Sequence, residues 1–333
     1  MKWLFVGNFQ SKKRGSYTVS EQIVDYLNSI GEECKLVSTA SSKILRIIQY
    51  LFYAFFSKRD QIHIDVFSGK PFLIAYYMAL IFKFRDKKVN ATLHGGMLID
   101  YLKHKKYFKK LDVFNNLLTP SLKMSEYLNR KNIFTLYQPN PINISRFPFS
   151  PSRKPQKKIK LLWVRAFMKV YNPIVPVKLV ALMLEKGFQV ELTMIGPDGG
   201  LLKEINKFIK KEKLESHINI LGKIKNENLS KYFMTHNVFL TTSNYESFGM
   251  SILEAALSGI AIVAFPTGEI PYIWKESEIS FTDNITYESY YEALVILLKS
   301  KDWLGRLDRA RKVAEQFDKD IILKKWVNRI KSF

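Results

Sequence analysis

The sequence is poor in cysteine: among its 333 residues Cys34 stands alone. With no pair to bridge, a disulfide scaffold is excluded and a reducing compartment is expected. It also lacks a long apolar run. The stretches Ile44–Phe56, interrupted by Arg46 and Gln49, and Pro71–Phe82 both fall short of the roughly 20 residues that cross a bilayer. The apolar opening Trp3–Val6 is shorter than the roughly 7 to 15 residues of a signal-peptide core and reads as a first β-strand, so a cytoplasmic protein is expected. Acidic residues are scarce, 30 against 52 Lys and Arg, which leaves a formal charge of +22. No cluster of His, Cys and Asp has metal-ligand spacing, so no metal is expected, and no repeat of about 20 to 50 residues is visible. What is present is a globular composition, 47% apolar, in a chain long enough for two domains with a core each.

Short β-branched or aromatic runs alternate with helical patterns: Trp3–Val6, Val19–Ser29, Cys34–Val37, Ile44–Phe56, Ile62–Phe67, Val89–Leu93 and a last run near Asn132–Leu136. Such alternation predicts βαβ units on a parallel sheet. From Gln138 to Lys158 five prolines and a basic end read as a linker. The alternation then restarts with strands at Ile159–Val164, Val190–Ile195, Ile218–Leu221, Val238–Leu240 and Ala261–Phe265, and from Tyr287 onward the periodicity is helical. The expected class is α/β: a first doubly wound domain over 1–140, a linker over 141–158, a second domain over 159–310, and a C-terminal helix over 311–333 able to pack back on the first. Ligands of such sheets sit at the carboxyl ends of the strands, so both halves are expected to face one cleft.

The segment from Thr242 to Pro271 carries the most chemistry. A strand ends near Leu240, a polar turn holds Glu246, Gly249 precedes a helix, and Glu254 lies on its second turn. Helical side chains lean toward the N-terminus, which returns the Glu254 carboxylate to the end where Glu246 sits. The unpaired N–H groups of Phe248, Gly249, Met250 and Ser251 at that end suit a phosphate. Two carboxylates for hydroxyls flanking an anion site fit a nucleotide sugar. Read blandly, the two glutamates are an N-terminal charge and a surface helix residue.

Glu246 and Glu254, set in YESFGMSILEAALSG and followed by Pro266-Thr267-Gly268-Glu269-Ile270-Pro271, resemble the donor-site signature of the retaining family 4 glycosyltransferases of GT-B fold. The resemblance covers nearly all of the second half and implies two Rossmann-like domains. It implies that Glu254 binds the donor ribose, Glu246 the donor sugar, and the amides near Phe248–Ser251 the sugar and phosphate. Arg165, at the end of the strand Leu161–Val164, stands where the family carries the first of two diphosphate cations. Lys169 follows by four residues where the family spaces by about five, so it is the candidate for the second. His94 in Thr92-Leu93-His94-Gly95-Gly96 resembles the family's strand-end histidine facing the reaction centre. Gly15 and Ser16 resemble its glycine-containing loop beside the donor phosphate. Gly222 and Lys223 match the turn that lies against the nucleotide base. Retention in this family is thought to use the donor phosphate as base, so the expected co-substrate is a UDP- or GDP-sugar with no metal and no other cofactor.

Divided at Ser150, the charge is +13 before and +9 after. The more basic half interleaves cations with aromatics, in Lys43–Arg59 and in Tyr101–Lys110. Ile44–Phe56 is expected to be a core helix with snorkelling cations. The Lys103–Lys110 cluster is expected to meet an anionic membrane surface, where each cation contributes on the order of 1 kcal/mol. The reading is a glycosyltransferase acting on a glycan or lipid-linked acceptor in bacterial surface polysaccharide or lipopolysaccharide synthesis. Two alternatives stand beside it: a nucleic-acid-binding protein, disfavoured by dispersed cations and the lack of a nucleic-acid module, and a non-transferring epimerase on the same fold.

Overall fold

The computed structural model describes residues 1–9 and 17–331. They divide into two units, one of residues 1–141 with 319–333, the other of residues 142–318. Each unit is built on a six-stranded sheet in which every observed pairing is parallel.

In the first unit the strands are β1 Lys2–Val6, β2 Glu33–Val37, β3 Gln61–Val66, β4 Lys88–Leu93, β5 Asn116–Thr119 and β6 Thr135–Tyr137, in the order β2-β1-β3-β4-β5-β6. The period-2 alternation of β1 explains why both faces are covered. Leu4 and Val6 enter the core beneath helices Lys43–Phe56 and Lys70–Phe84, while Trp3 and Phe5 face the helices Val19–Ser29 and Lys319–Lys331. Helix Val19–Ser29 starts at a reciprocal cap: the Glu21 amide donates to the Thr18 hydroxyl at 3.2 Å, and the Thr18 amide donates to the Glu21 carboxylate at 2.8 Å.

In the second unit β7 Lys158–Val164, β8 Gln189–Ile195, β9 Ile218–Gly222, β10 Val238–Thr241, β11 Ala261–Ala264 and β12 Ser280–Phe281 run in the order β12-β11-β10-β7-β8-β9. The order reverses between β7 and β10, a switch point whose carboxyl side is the usual ligand crevice of a doubly wound sheet. Alternate residues of β7, Leu161 and Trp163 against Leu162, again feed separate cores on the two faces.

Three expectations need correction. Residues 141–158 are not a free linker: Ile142 and Phe147 are buried in the second unit's core, and the Ser152 amide donates to the Gly259 carbonyl at 2.7 Å. The Trp303 indole also donates to the Ser152 carbonyl at 2.7 Å. The prolines remove donors, but the aromatic residues between them still have apolar surface to bury. The C-terminal region is not one helix over 311–333. Helix Trp303–Glu315 belongs to the second unit, and the chain then returns to the first as helix Lys319–Lys331, whose Trp326 lies 6.0 Å from Trp3 and 5.9 Å from Phe5 between ring centroids. Ile44–Phe56 is not a core helix, since helix Lys43–Phe56 buries only Tyr50 and Ala54. No helix among the described residues is long and apolar enough to cross a membrane.

Candidate active site

At the switch point of the second sheet, Arg165 follows β7 and Glu246 lies in the loop after β10. Arg165 donates from Nε at 2.9 Å and from Nη2 at 2.6 Å to Glu246 Oε1, and Ser243 Oγ donates to the same oxygen at 2.8 Å. Both charged side chains are largely buried, so the pair is charge-assisted and shielded from water. Three donors converge on Oε1, while Oε2 makes no hydrogen bond among the described residues and is the atom left to accept from a ligand hydroxyl. The guanidinium lies 5.7 Å from the Tyr171 ring centroid, a second restraint on its plane.

The loops holding this pair approach at backbone contact. A Cβ on Gly268 would lie 1.8 Å from the Glu246 carbonyl oxygen, and one on Gly196 would lie 1.7 Å from the Arg165 carbonyl oxygen. The Glu269 amide donates to the Glu246 carbonyl at 3.0 Å, and Asn172 Nδ2 donates to the Thr242 carbonyl at 3.0 Å and to Asn244 Oδ1 at 2.9 Å. The PTGE segment after β11 is therefore a buttress beneath the Glu246 loop.

Helix Met250–Ser258 begins at Gly249, in the left-handed conformation at φ 81°, with no side chain capping its first amides. Ser251 Oγ in its first turn is buried and unpartnered among the described residues. Glu254, one turn further, is half-buried and its carboxylate is hydrogen-bonded to none of the described residues. Burial pushes it up to about 7, against the opposing pull of the Arg165 and Arg146 charges. The Phe248 ring is buried edge-on against Phe317 at 5.4 Å, which leaves its backbone, the part expected to meet a ligand. Lys169 opens a short 3-10 turn, Lys169–Tyr171, four residues after Arg165, and is exposed. Gly222 ends β9 with its carbonyl accepting from the Gly196 amide at 2.9 Å, and the exposed Lys223 follows it. Gly15 and Ser16 lie outside the described residues.

The first unit carries a cavity of about 550 Å³ at the carboxyl ends of β1 and β3, the switch point of that sheet, lined in part by Asp65, Ser20, His94, Arg46 and Tyr50. His94 follows β4, and its Nε2 lies 3.0 Å from Asp65 Oδ1. Ser20 Oγ donates to both Asp65 oxygens at 2.8 Å. Burial would push the Asp65 carboxyl up, but the hydrogen bond and charge of His94, with lesser help from the Ser20 hydrogen bond, hold it below the usual range. An ionised carboxylate only accepts, so His94 Nε2 carries the proton in this contact. Phe67 stacks on the imidazole at 4.9 Å. His63, one strand position before Ile64, is pushed down to about 4 by burial and is neutral beside Thr92 Oγ1 at 2.9 Å. Sequence reasoning passed over Asp65, although a lone acid in the apolar strand QIHIDV is itself a signal.

Among the described residues no group of three or more His, Cys, Asp and Glu could hold a metal ion. Residues 146–317 match the family model described as glycosyl transferases group 1. The UDP-N-acetylglucosamine–peptide N-acetylglucosaminyltransferase GtfA subunit of Streptococcus agalactiae is 27% identical over 146 residues, 41% of this chain and 28% of that protein. The chain therefore spans little more than a quarter of that relative. Among solved structures, sucrose-phosphate synthase of Thermosynechococcus elongatus superposes with a TM-score of 0.79 at 15% identity, covering 100% of this chain and 98% of the other. HepE of Anabaena in complex with UDP and glucose superposes at 0.78 with 14% identity over 100% of both chains. At these identities the likeness is one of fold, and that fold is the expected pair of Rossmann-like domains of GT-B type.

Proposed function

Because the chain belongs to the glycosyl transferases group 1 family, we propose that it is a retaining glycosyltransferase that moves a sugar from a UDP- or GDP-sugar to a glycan or lipid-linked acceptor, without a metal. The observation that carries the reading is the Arg165–Glu246 pair at the β7/β10 switch point, beside the open N-terminus of helix Met250–Ser258 and the Glu254 carboxylate. A glycosidic bond breaking toward a nucleoside diphosphate leaves negative charge on the phosphate oxygens. A guanidinium already fixed by Glu246 and Ser243 stabilises that charge without reorganising, which is the electrostatic route to a lower barrier. Glu246 Oε2 accepts from a donor-sugar hydroxyl, and Glu254 accepts from the ribose hydroxyls once ionised. The helix amides near Gly249 and Ser251 receive the diphosphate.

Lys169, exposed four residues after Arg165, is the candidate for the second phosphate cation. In the first unit the cavity has, among the described residues, the make-up of an acceptor site: an apolar wall, the Arg46 cation, and His94 held by Asp65. A lipid-borne acceptor of the kind on which bacterial surface polysaccharide or lipopolysaccharide is assembled suits the basic, apolar first half. The HepE complex, which contains UDP and glucose, supports a UDP-sugar as the first donor to try.

Thermal melts with UDP-, GDP- and ADP-sugars test the donor, since a ligand bound only by the folded state raises its apparent stability, by about 2.7 kcal/mol at a hundred times Kd. Glu254→Ala is expected to lose that stabilisation. If calorimetry shows the variant binding the same nucleoside diphosphate as tightly as the parent, the donor assignment is wrong.

A further inference from the structure

We propose that the outward faces of helices Lys43–Phe56 and Lys70–Phe84 form a docking surface for an anionic lipid bilayer. Helix Lys43–Phe56 is inside-out. Its inward stripe, Arg46, Gln49, Tyr50, Tyr53 and Ala54, is polar or small, and it anchors the helix by hydrogen bonds: Tyr50 to the Gly7 carbonyl at 2.7 Å, and Arg46 to the Ala40 carbonyl at 3.3 Å. Everything large and apolar faces away from the protein. Ile44 is 72% exposed and Phe56 68%, and Ile48, Phe52 and Phe55 between them are each more than half exposed. Helix Lys70–Phe84 extends the surface with Tyr77, Leu80 and Phe84, spaced three or four residues apart, the last 91% exposed. The two helices are fixed side by side, because Arg85 donates to the Ala54 carbonyl at 2.8 Å and the Ser57 carbonyl at 2.9 Å. A contiguous apolar face of this size is an interaction surface and not ordinary exposure.

The surrounding charge selects the occupant. Lys43 and Lys58 bracket the first helix, Lys70 opens the second, and all three are exposed. The lysine-rich segment 103–110 is tied to the second helix by Lys110, whose Nζ lies 4.0 Å from the Tyr76 ring centroid. An apolar centre with a basic rim is the pattern of an interfacial helix on anionic lipid, where the side chains enter the acyl boundary and the cations meet headgroups. A second copy would bring an equally basic face against this one, and a nucleic acid offers nothing to the apolar centre. The same helices also wall the cavity of the first unit through Arg46, Tyr50, Ile74 and Met78. With a lipid-borne acceptor, a point that rests on the function proposed above, the surface would hold that cavity at the bilayer.

Vesicle flotation of the whole chain without any donor tests the surface apart from the transfer chemistry. The parent should float with phosphatidylcholine vesicles containing phosphatidylglycerol, and less so as salt is raised. The triple variant Ile48→Ser, Phe55→Ser, Phe84→Ser should lose at least about tenfold in partition coefficient while keeping the parent's melting temperature. In a separate variant, Phe84→Trp, the introduced indole's emission should shift to the blue on adding those vesicles and be quenched by brominated acyl chains. A parent that stays with the protein-only fraction, a triple variant that floats equally, or an introduced indole that brominated chains leave unquenched overturns the proposal. So does a triple variant whose only change is the loss of a concentration-dependent dimer in sedimentation, which would give the face to a second copy. None of these outcomes alters nucleotide binding, which the melts above read independently.

Discussion

At the scale of single residues, Glu246 and Glu254 are in different electrostatic situations. Glu246 is neutralised by Arg165, whereas Glu254 has burial pushing it up to about 7 and no hydrogen bond from a described residue. Its folded value lies above the ordinary 4.5, so the native state binds more protons than the unfolded chain between those two values. The stability tied to this group is therefore complete below about pH 4.5 and is lost as pH rises through about 7. Glu254→Gln removes the titration. The variant's melting temperature should equal the parent's near pH 4.5 and exceed it by about 2–4 °C at pH 8, the shift for roughly 1 kcal/mol in a unit of this size. A constant difference from pH 4.5 to pH 8 would refute it. The motif named Glu254 from sequence spacing, but its protonation depends on what the fold packs around it. For the same reason the contact of Asp65 with His94 was not legible: only the parallel pairing of β3 with β4 brings the two together.

At the scale of elements, the loops around the switch point matter as much as the charged side chains. The sequence TSNYESFGMSILEAALSG marks a strand, a turn and a helix start by residue type, and the structure has β10, the Glu246 loop and helix Met250–Ser258 there. Its dependence on Gly268 is a tertiary matter, because the crowding atom belongs to Glu246, 22 positions earlier. Gly268 has φ 59°, and any Cβ there meets the Glu246 carbonyl. Gly268→Ala should cost at least about 2 kcal/mol in denaturant unfolding, from left-handed strain plus displacement of the loop. It should also weaken donor binding, since Arg165 would lose its fixed partner. Parent-like unfolding would mean the buttress has slack. Other elements escaped the periodic pattern altogether: β5 Asn116–Thr119 and β12 Ser280–Phe281 are too short to alternate convincingly, and they exist because a neighbouring strand offers its edge.

At the scale of the molecule, the chain crosses between its units twice and ends in the first. Helix Lys319–Lys331 completes the face of the first sheet that carries Trp3 and Phe5, and Arg329 donates to Gln138 Oε1 at 2.9 Å and to the Tyr137 carbonyl. Trp326 is 2% exposed, with the His63 ring 5.2 Å away. Trp326→Ala should remove about 3–5 kcal/mol from the unfolding of the first unit, read by calorimetry or by urea denaturation. A parent-like transition would show that the helix is an appendage and not part of that core. The charge of +22 also divides at this scale: Arg165 is paired with Glu246 at the switch point of the second sheet, whereas Lys43, Lys58 and Lys70 are exposed at the ends of the first unit's helices.

By itself the sequence determined the α/β class, the doubling of the domain and the strand, turn and helix start that hold Glu246 and Glu254. Those rest on local periodicity and on residue types whose chemistry is the same wherever they are placed. Only the tertiary structure decided which face of Lys43–Phe56 looks outward, where residues 141–158 pack, and that the last helix returns to the first unit. An amphipathic pattern states that two faces differ, but the rest of the chain decides which one is covered. Here small and polar side chains made the better fit to the protein and left the apolar ones outside.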